Sequence, residues 1–188
     1  MTTLEKDEAT PVAKFIDGKQ VWGLALGVAV QLTVLLGMIG MRAAILVSGE
    51  AYFVPVQPVD PRDLLRGDFV ILSYEFSRLP HDGRVDGTIQ RDRMAMNGRD
   101  VYVSLTRDAD GKHMRATRFS LERPGQGTYL KGTLNEFGQI TYGIESYFVQ
   151  EGKGHVYEEA IRSRGLSAEI SVTPDGVAAI RALHIAGK

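Results

Sequence analysis

The densest polar chemistry in the chain lies between Pro58 and Asp68. In Pro58-Val59-Asp60-Pro61-Arg62-Asp63-Leu64-Leu65-Arg66-Gly67-Asp68, two guanidinium groups stand among three carboxylates. Guanidinium forks bind carboxylates and other anionic groups through paired hydrogen bonds. Asp60, Arg62, Asp63, Arg66 and Asp68 therefore predict either an internally paired turn or a surface for a partner or ligand. The local chemistry favours a rigid turn. Asp60 is placed to cap, Pro61 to open a short helical turn over residues 61–65, and Gly67 to supply a backbone conformation that side chains resist. A second candidate is Gly152-Lys153-Gly154 before a helical stretch. Glycines, Lys153 and free helix amides can cradle a small anion. The spacing is not that of a Walker A loop, and Glu151, Glu158 and Glu159 oppose an anion, so a tight structural connection is the expected role there.

Other chemistry is thinly represented. The chain has no cysteine, which excludes disulfides, thiolate metal sites and a cysteine nucleophile. His81, His113, His155 and His184 lack ligand spacing, so no metal is expected. No Ser/His/Asp arrangement stands out, and no cofactor motif is present. Basic and aromatic residues do not interleave as a nucleic-acid platform requires. A net charge of −1 supplies no global field.

The elements that must position these residues fall into two parts. Residues 21–41 carry no charge. At about 1.5 Å per residue they cover roughly 30 Å of hydrocarbon. With the apolar turn after Arg42, they predict a membrane helix over residues 21–47 behind a polar tail of residues 1–20, with Trp22 at the headgroup edge. A cleaved signal peptide is the competing reading, with Gly49-Glu50-Ala51 as a weak cleavage pattern. Lys6, Lys14 and Lys19 before the helix, against Arg42 after it, point to a cytoplasmic N-terminus and an extracytoplasmic C-terminal part. Gly23 and Gly27 have the small-xxx-small spacing of helix–helix contacts in a bilayer.

Residues 48–188 predict a mainly β domain, an antiparallel barrel or sandwich with one packed helix. Strands are expected over 68–76, 100–107, 112–120, 127–132, 139–149, 166–173 and 177–185. Turns fall at Asp108–Gly111 and Pro174–Gly176. A helix is expected over 155–163, closed by Gly165. Leu79–Gly98 is polar and Gly-bearing and reads as a long loop open to motion.

The stretch Gly67-Asp68-Phe69-Val70-Ile71-Leu72-Ser73-Tyr74 resembles the signature of the GDYXXLXY protein family, with Phe69 in place of the usual Tyr. Residues 58–66 and the later Tyr142-Gly143-Ile144-Glu145-Ser146-Tyr147-Phe148-Val149-Gln150-Glu151-Gly152-Lys153-Gly154 are also similar to that family. The resemblance runs from about Ala43 to Ala186. It implies a bacterial membrane-anchored protein without an assigned reaction, in some cases accompanying a polytopic membrane protein. The Gly-Asp pair also resembles a short motif of membrane-anchored signal-peptidase-type barrels, in which a Ser after the membrane helix is activated by a Lys. Ser48 has that placement, but Asp68–Gly111 contains no lysine, and arginine does not deprotonate to act as a base.

The resulting expectation is a single-pass protein of the cytoplasmic membrane. Its β-domain acts as a non-catalytic accessory module, with the bilayer and a polytopic membrane protein as partners. The alternatives are an envelope hydrolase using an unrecognised serine, with Ser48 and the Leu79–Gly98 loop as its hooks, and a small-anion sensor using Lys153.

Overall fold

A computed structural model describes residues 18–58, 69–91 and 95–187. The chain divides into two units, Met1–Met41 and Arg42–Lys188. Helix α1 runs over Gly18–Ser48. Its side chains from Val21 to Met41, all in the first unit, are exposed throughout. Val21–Ser48 is long and apolar enough to cross a membrane.

The second unit is mostly antiparallel sheet. In chain order it holds β1 (Glu50–Pro55), β2 (Phe69–Ile71), a 3-10 turn (Glu75–Ser77), α2 (Gly87–Arg91), β3 (Asp100–Arg107) and β4 (Met114–Ser120). Then follow β5 (Thr128–Leu134), β6 (Ile140–Thr141), β7 (Ser146–Phe148), α3 (Gly154–Arg162), β8 (Leu166–Val172) and β9 (Ala178–Ile185). Three sheets result, ordered β1-β8-β9, β2-β7 and β4-β3-β5-β6. A bridge between Phe53 and His113 links β1 to the start of β4.

The period-2 pattern explains the larger sheets. On β3, Val101, Val103 and Leu105 alternate inward, as a sheet with one buried face requires. On β4 the buried residues are Met114, Ala116 and Phe119. The skipped position is a bulge, since Ser104 opposes Arg118 while Leu105 opposes Ala116. The extra residue keeps Phe119 on the core face. Gly132 on β5 admits no side chain, because a Cβ there would lie 2.5 Å from Ile140 Cγ2 and 2.8 Å from the Tyr142 ring.

Four expectations need correction. The strand over 68–76 ends at Ile71, because the Ser77 hydroxyl takes the Tyr74 amide at 2.9 Å and Ser77 N–H donates to the Tyr74 carbonyl at 3.0 Å, closing a local turn. The strand over 139–149 is broken in two by Gly143, whose φ of 79° lies in the left-handed region. Gly165 does not supply the left-handed residue that closes α3. Arg164 does, at φ 56°, while the Gly165 amide bonds the Ala160 carbonyl at 2.8 Å, as in a Schellman closure with arginine where glycine is usual. Leu79–Gly98 is not simply a loop. Leu79, Val85 and Ile89 are buried, α2 lies within it, and Arg84 ties it down through Glu75 (2.7 Å), Asp82 (2.9 Å) and the Ala116 carbonyl (3.0 Å). The expected helical turn over 61–65 lies outside the described residues.

Candidate functional site

The two family-like segments, some seventy residues apart in sequence, are brought together. Phe69, Val70 and Ile71 pair with Phe148, Tyr147 and Ser146. The Leu72 amide continues the contact to the Glu145 carbonyl at 2.8 Å. Behind this ribbon lies an aromatic knot. Tyr74 stacks on Phe76 at 5.2 Å, and Tyr142 meets Phe76 edge-on at 5.3 Å. Tyr74 donates its hydroxyl to the Ile144 carbonyl and Tyr142 to the Phe76 carbonyl, each at 2.7 Å. Burial, and then the nearby Glu145 charge, push both phenols well above their usual pKa, so both remain neutral donors. The Glu145 carboxylate holds the amides of Tyr142 (2.5 Å) and Gly143 (2.9 Å), and Arg42 donates to the Gly143 carbonyl at 2.9 Å. Leu72 and Tyr74 of the signature are thus core residues. Phe69 lies half-buried, edge-on to Phe148, which is 78% exposed.

Of the expected site residues, Asp60, Arg62, Asp63, Arg66 and Asp68 lie outside the described residues. Lys153 stands at the N-cap of α3 and its carbonyl accepts the Val156 amide at 3.1 Å. Its side chain is exposed.

Within the second unit, the last turns of α1 are bound to the β8-β9 hairpin. Ser171 donates to the Ile45 carbonyl at 2.8 Å. Arg181 donates to the Leu46 carbonyl at 2.6 Å and the Gly49 carbonyl at 3.0 Å. A helix C-terminus leaves carbonyls without intrahelical partners and carries partial negative charge, so a guanidinium there satisfies both. Ser48 gives its hydroxyl to the Ala44 carbonyl at 2.7 Å, so the serine that the alternative hydrolase reading would use is bonded back to its own helix. It lines a cleft of about 250 Å³ with Glu50, Tyr52, Gly127, Thr128 and Thr173 among its walls. In this cleft Tyr52 donates to Glu50 at 2.5 Å and shares a 2.9 Å hydrogen bond with Thr128. Burial first, and then the Glu50 hydrogen bond, raise the Tyr52 phenol above its ordinary pKa.

Sequence reasoning missed a third grouping. Asp110 bonds Nδ1 of His113, and Nε2 of His113 bonds the Ser167 hydroxyl at 2.8 Å. This is the connectivity of a carboxylate–imidazole–hydroxyl triad. The His113 hydrogen bond first, with the amides of His113 and Lys112, lowers the Asp110 pKa to about 2. Ser167 lies within β8, paired with both β1 and β9. Around it, Phe53 meets His184 edge-on at 5.3 Å, and His184 pairs with Glu169 at 2.8 Å. Asp110 and His113 share a turn that the sequence marks, whereas Ser167 joins them only through strand pairing. Among the described residues no group of three or more histidines and carboxylates could hold a metal ion.

Fold and site define a class: a mainly antiparallel β-domain preceded in sequence by an apolar helix. The family described as "GDYXXLXY protein" matches residues 31–183, and the chain belongs to that family. No curated protein and no solved structure matches it.

Proposed function

We propose that this is a signal-anchored, single-pass protein of the bacterial envelope whose extracytoplasmic β-domain serves as a non-catalytic accessory module for a membrane protein. The observation that carries this reading is the set of hydrogen bonds from Arg42, Ser171 and Arg181 that build the end of α1 into the domain. Cleavage at Gly49-Glu50-Ala51 would remove Arg42 and the α1 carbonyls that Ser171 and Arg181 bind, and would cut β1, which pairs with β8 from Glu50 onward. A retained anchor fits that construction better than a discarded leader. The exposed Phe148, edge-on to Phe69 on the two-stranded ribbon, supplies an apolar docking point. In sequence, Asp60, Arg62, Asp63, Arg66 and Asp68 directly precede this ribbon, and we include them in the proposed interface for their charge. The lysine bias before the helix supports the orientation.

In-cell crosslinking, detergent purification and mass spectrometry of wild type, Asp68→Ala and Phe148→Ser test the reading. A stoichiometric membrane protein captured by wild type and lost from both folded variants is expected. Equal recovery from all three chains would remove the ribbon from the interface.

The Asp110–His113–Ser167 chain supports a second reading, a serine hydrolase. His113 would accept the Ser167 proton as Oγ attacks an ester carbonyl, and would return it to the departing alcohol. A fluorophosphonate probe that labels Ser167 in the wild type and not in His113→Ala would favour it. A natively folded full chain left unlabelled would sink it.

A further inference from the structure

The cleft at the end of α1 is walled by one carboxylate and several neutral hydroxyl groups. Its carboxylate, Glu50, accepts the Tyr52 hydroxyl, and among the described residues no cation pairs with it. Tyr52 is neutral and donates, and Thr128 braces it from the other side. The pair therefore holds a negative charge facing open space, with Ser48, Thr173 and Pro174 completing the walls.

The rim is basic. Arg107 lies two residues beyond Leu105, which pairs with Thr128 of the cleft wall, is exposed, and donates to the Gly111 carbonyl at 2.9 Å. Arg123 lies 5.7 Å over the Tyr129 ring and donates to the Pro174 carbonyl at 3.1 Å. It also pairs with Asp175 at 3.1 Å and is 56% exposed. A carboxylate in the wall and guanidinium groups beside it complement a zwitterion whose ammonium meets the carboxylate and whose anion meets an arginine. The cleft, at about 250 Å³, falls below the range of roughly 300–1,000 Å³ that drug-sized ligands fill. Ser48, which borders it, closes a helix whose uncharged run ends at Met41. Residues 42–48 add about 10 Å of rise, enough to leave the hydrocarbon and enter the headgroup layer.

We propose that this cleft binds the phosphoethanolamine headgroup of a membrane phospholipid, the ammonium on Glu50 and the phosphate against Arg107 and Arg123. The lipid source rests on the membrane-anchor reading above; the headgroup chemistry does not. Two arms separate them. The full chain in detergent is titrated calorimetrically with phosphoethanolamine, and with inorganic phosphate as the comparison. Binding of phosphoethanolamine is expected, weakened at least tenfold by Glu50→Gln and less by Arg123→Ala, with phosphate alone far weaker. Glu50→Gln keeps an acceptor for Tyr52, so its thermal melt should match wild type. If it does not, Thr128→Val tests the same wall. The full chain is then placed in nanodiscs of mixed phosphatidylethanolamine and phosphatidylglycerol and examined by native mass spectrometry. Preferential retention of phosphatidylethanolamine, lost in Glu50→Gln, is expected. Equal heats for wild type and Glu50→Gln overturn the site. Binding in detergent with equal retention of both lipids overturns the lipid source and leaves a soluble phosphoethanolamine-bearing ligand. A chain that binds in detergent but does not remain in membranes after alkaline extraction overturns the anchor instead.

Discussion

Tyr74 and Tyr142 give their hydroxyls to backbone carbonyls inside the junction of the two family segments, whereas Tyr52 gives its hydroxyl to the Glu50 side chain at the wall of an open cleft. All three phenols are raised above their ordinary pKa by burial first, so titration does not tell them apart. Their partners do. A carbonyl fixed in the backbone has no alternative occupant, and the hydrogen bond to it specifies the fold. A carboxylate on a flexible side chain facing solvent can exchange partners with a ligand. Tyr74 of the signature belongs to the first kind. The signature stretch of this chain therefore reports how β2 and β7 are held together, and its chemistry is to be sought where side chains meet side chains.

The largest effect that can break this contrast is loss of the knot itself. Phe76 is fully buried between Tyr74 and Tyr142. Phe76→Ala is expected to cost about 3–5 kcal/mol, the usual cost of deleting a buried ring, and to lower the melting temperature of the full chain in detergent. A change of less than about 1 kcal/mol would mean the junction repacks easily and is not a structural centre. The next effect is a paired one. Tyr74→Phe strands the Ile144 carbonyl in a dry site, at about 1–3 kcal/mol. Tyr52→Phe leaves Glu50 and Thr128 open to water and should shift the melt by about 0.5 kcal/mol or less, while weakening phosphoethanolamine binding. Equal shifts from the two variants would erase the distinction between backbone-partnered and side-chain-partnered tyrosines.

The contrast also explains what was legible in the sequence. The strand over 100–107 is found where alternation of Val101, Val103 and Leu105 predicts it, because period-2 burial is a local property. The single helix near 155–163 follows from apolar spacing and the Glu158–Arg162 pair, observed at 3.6 Å. The signature placed the family, but not the role of its residues. That Tyr74 meets Ile144 is a fact about the pairing of β2 with β7, which no local pattern carries. Val85 and Ile89 lie too sparsely among charges for periodicity to mark them, so their burial was missed. Ser167 looks like any polar residue on an exposed strand face until the β3-β4 turn brings His113 over it. Ser48 fits a nucleophile by position alone, and the helix carbonyl of Ala44 claims its hydroxyl.

Asp110 offers the smallest effect and the sharpest test, because it combines both kinds of partner. One carboxylate oxygen accepts the amides of Lys112 (2.8 Å) and His113 (2.9 Å), and the other meets the His113 ring. Its pKa is lowered to about 2, below the unfolded value near 3.9. A depressed carboxylate stabilises the folded state above its unfolded pKa and loses that contribution as pH falls through its folded pKa. Wild type should therefore be more stable than Asp110→Asn above about pH 4, and the two should converge toward about pH 2. Asp110 is exposed, so solvent screening keeps the gap small. Amide exchange at Lys112 and His113, compared between the two chains at each pH, resolves it better than a global melt. The location of the loss then separates the two partners. If only the turn amides loosen, Asp110 is a turn cap and the imidazole contact is incidental. If exchange also rises at Ser167 on β8, the His113 bridge couples the turn to the sheet, and the side-chain contact contributes to holding the two sheets in register.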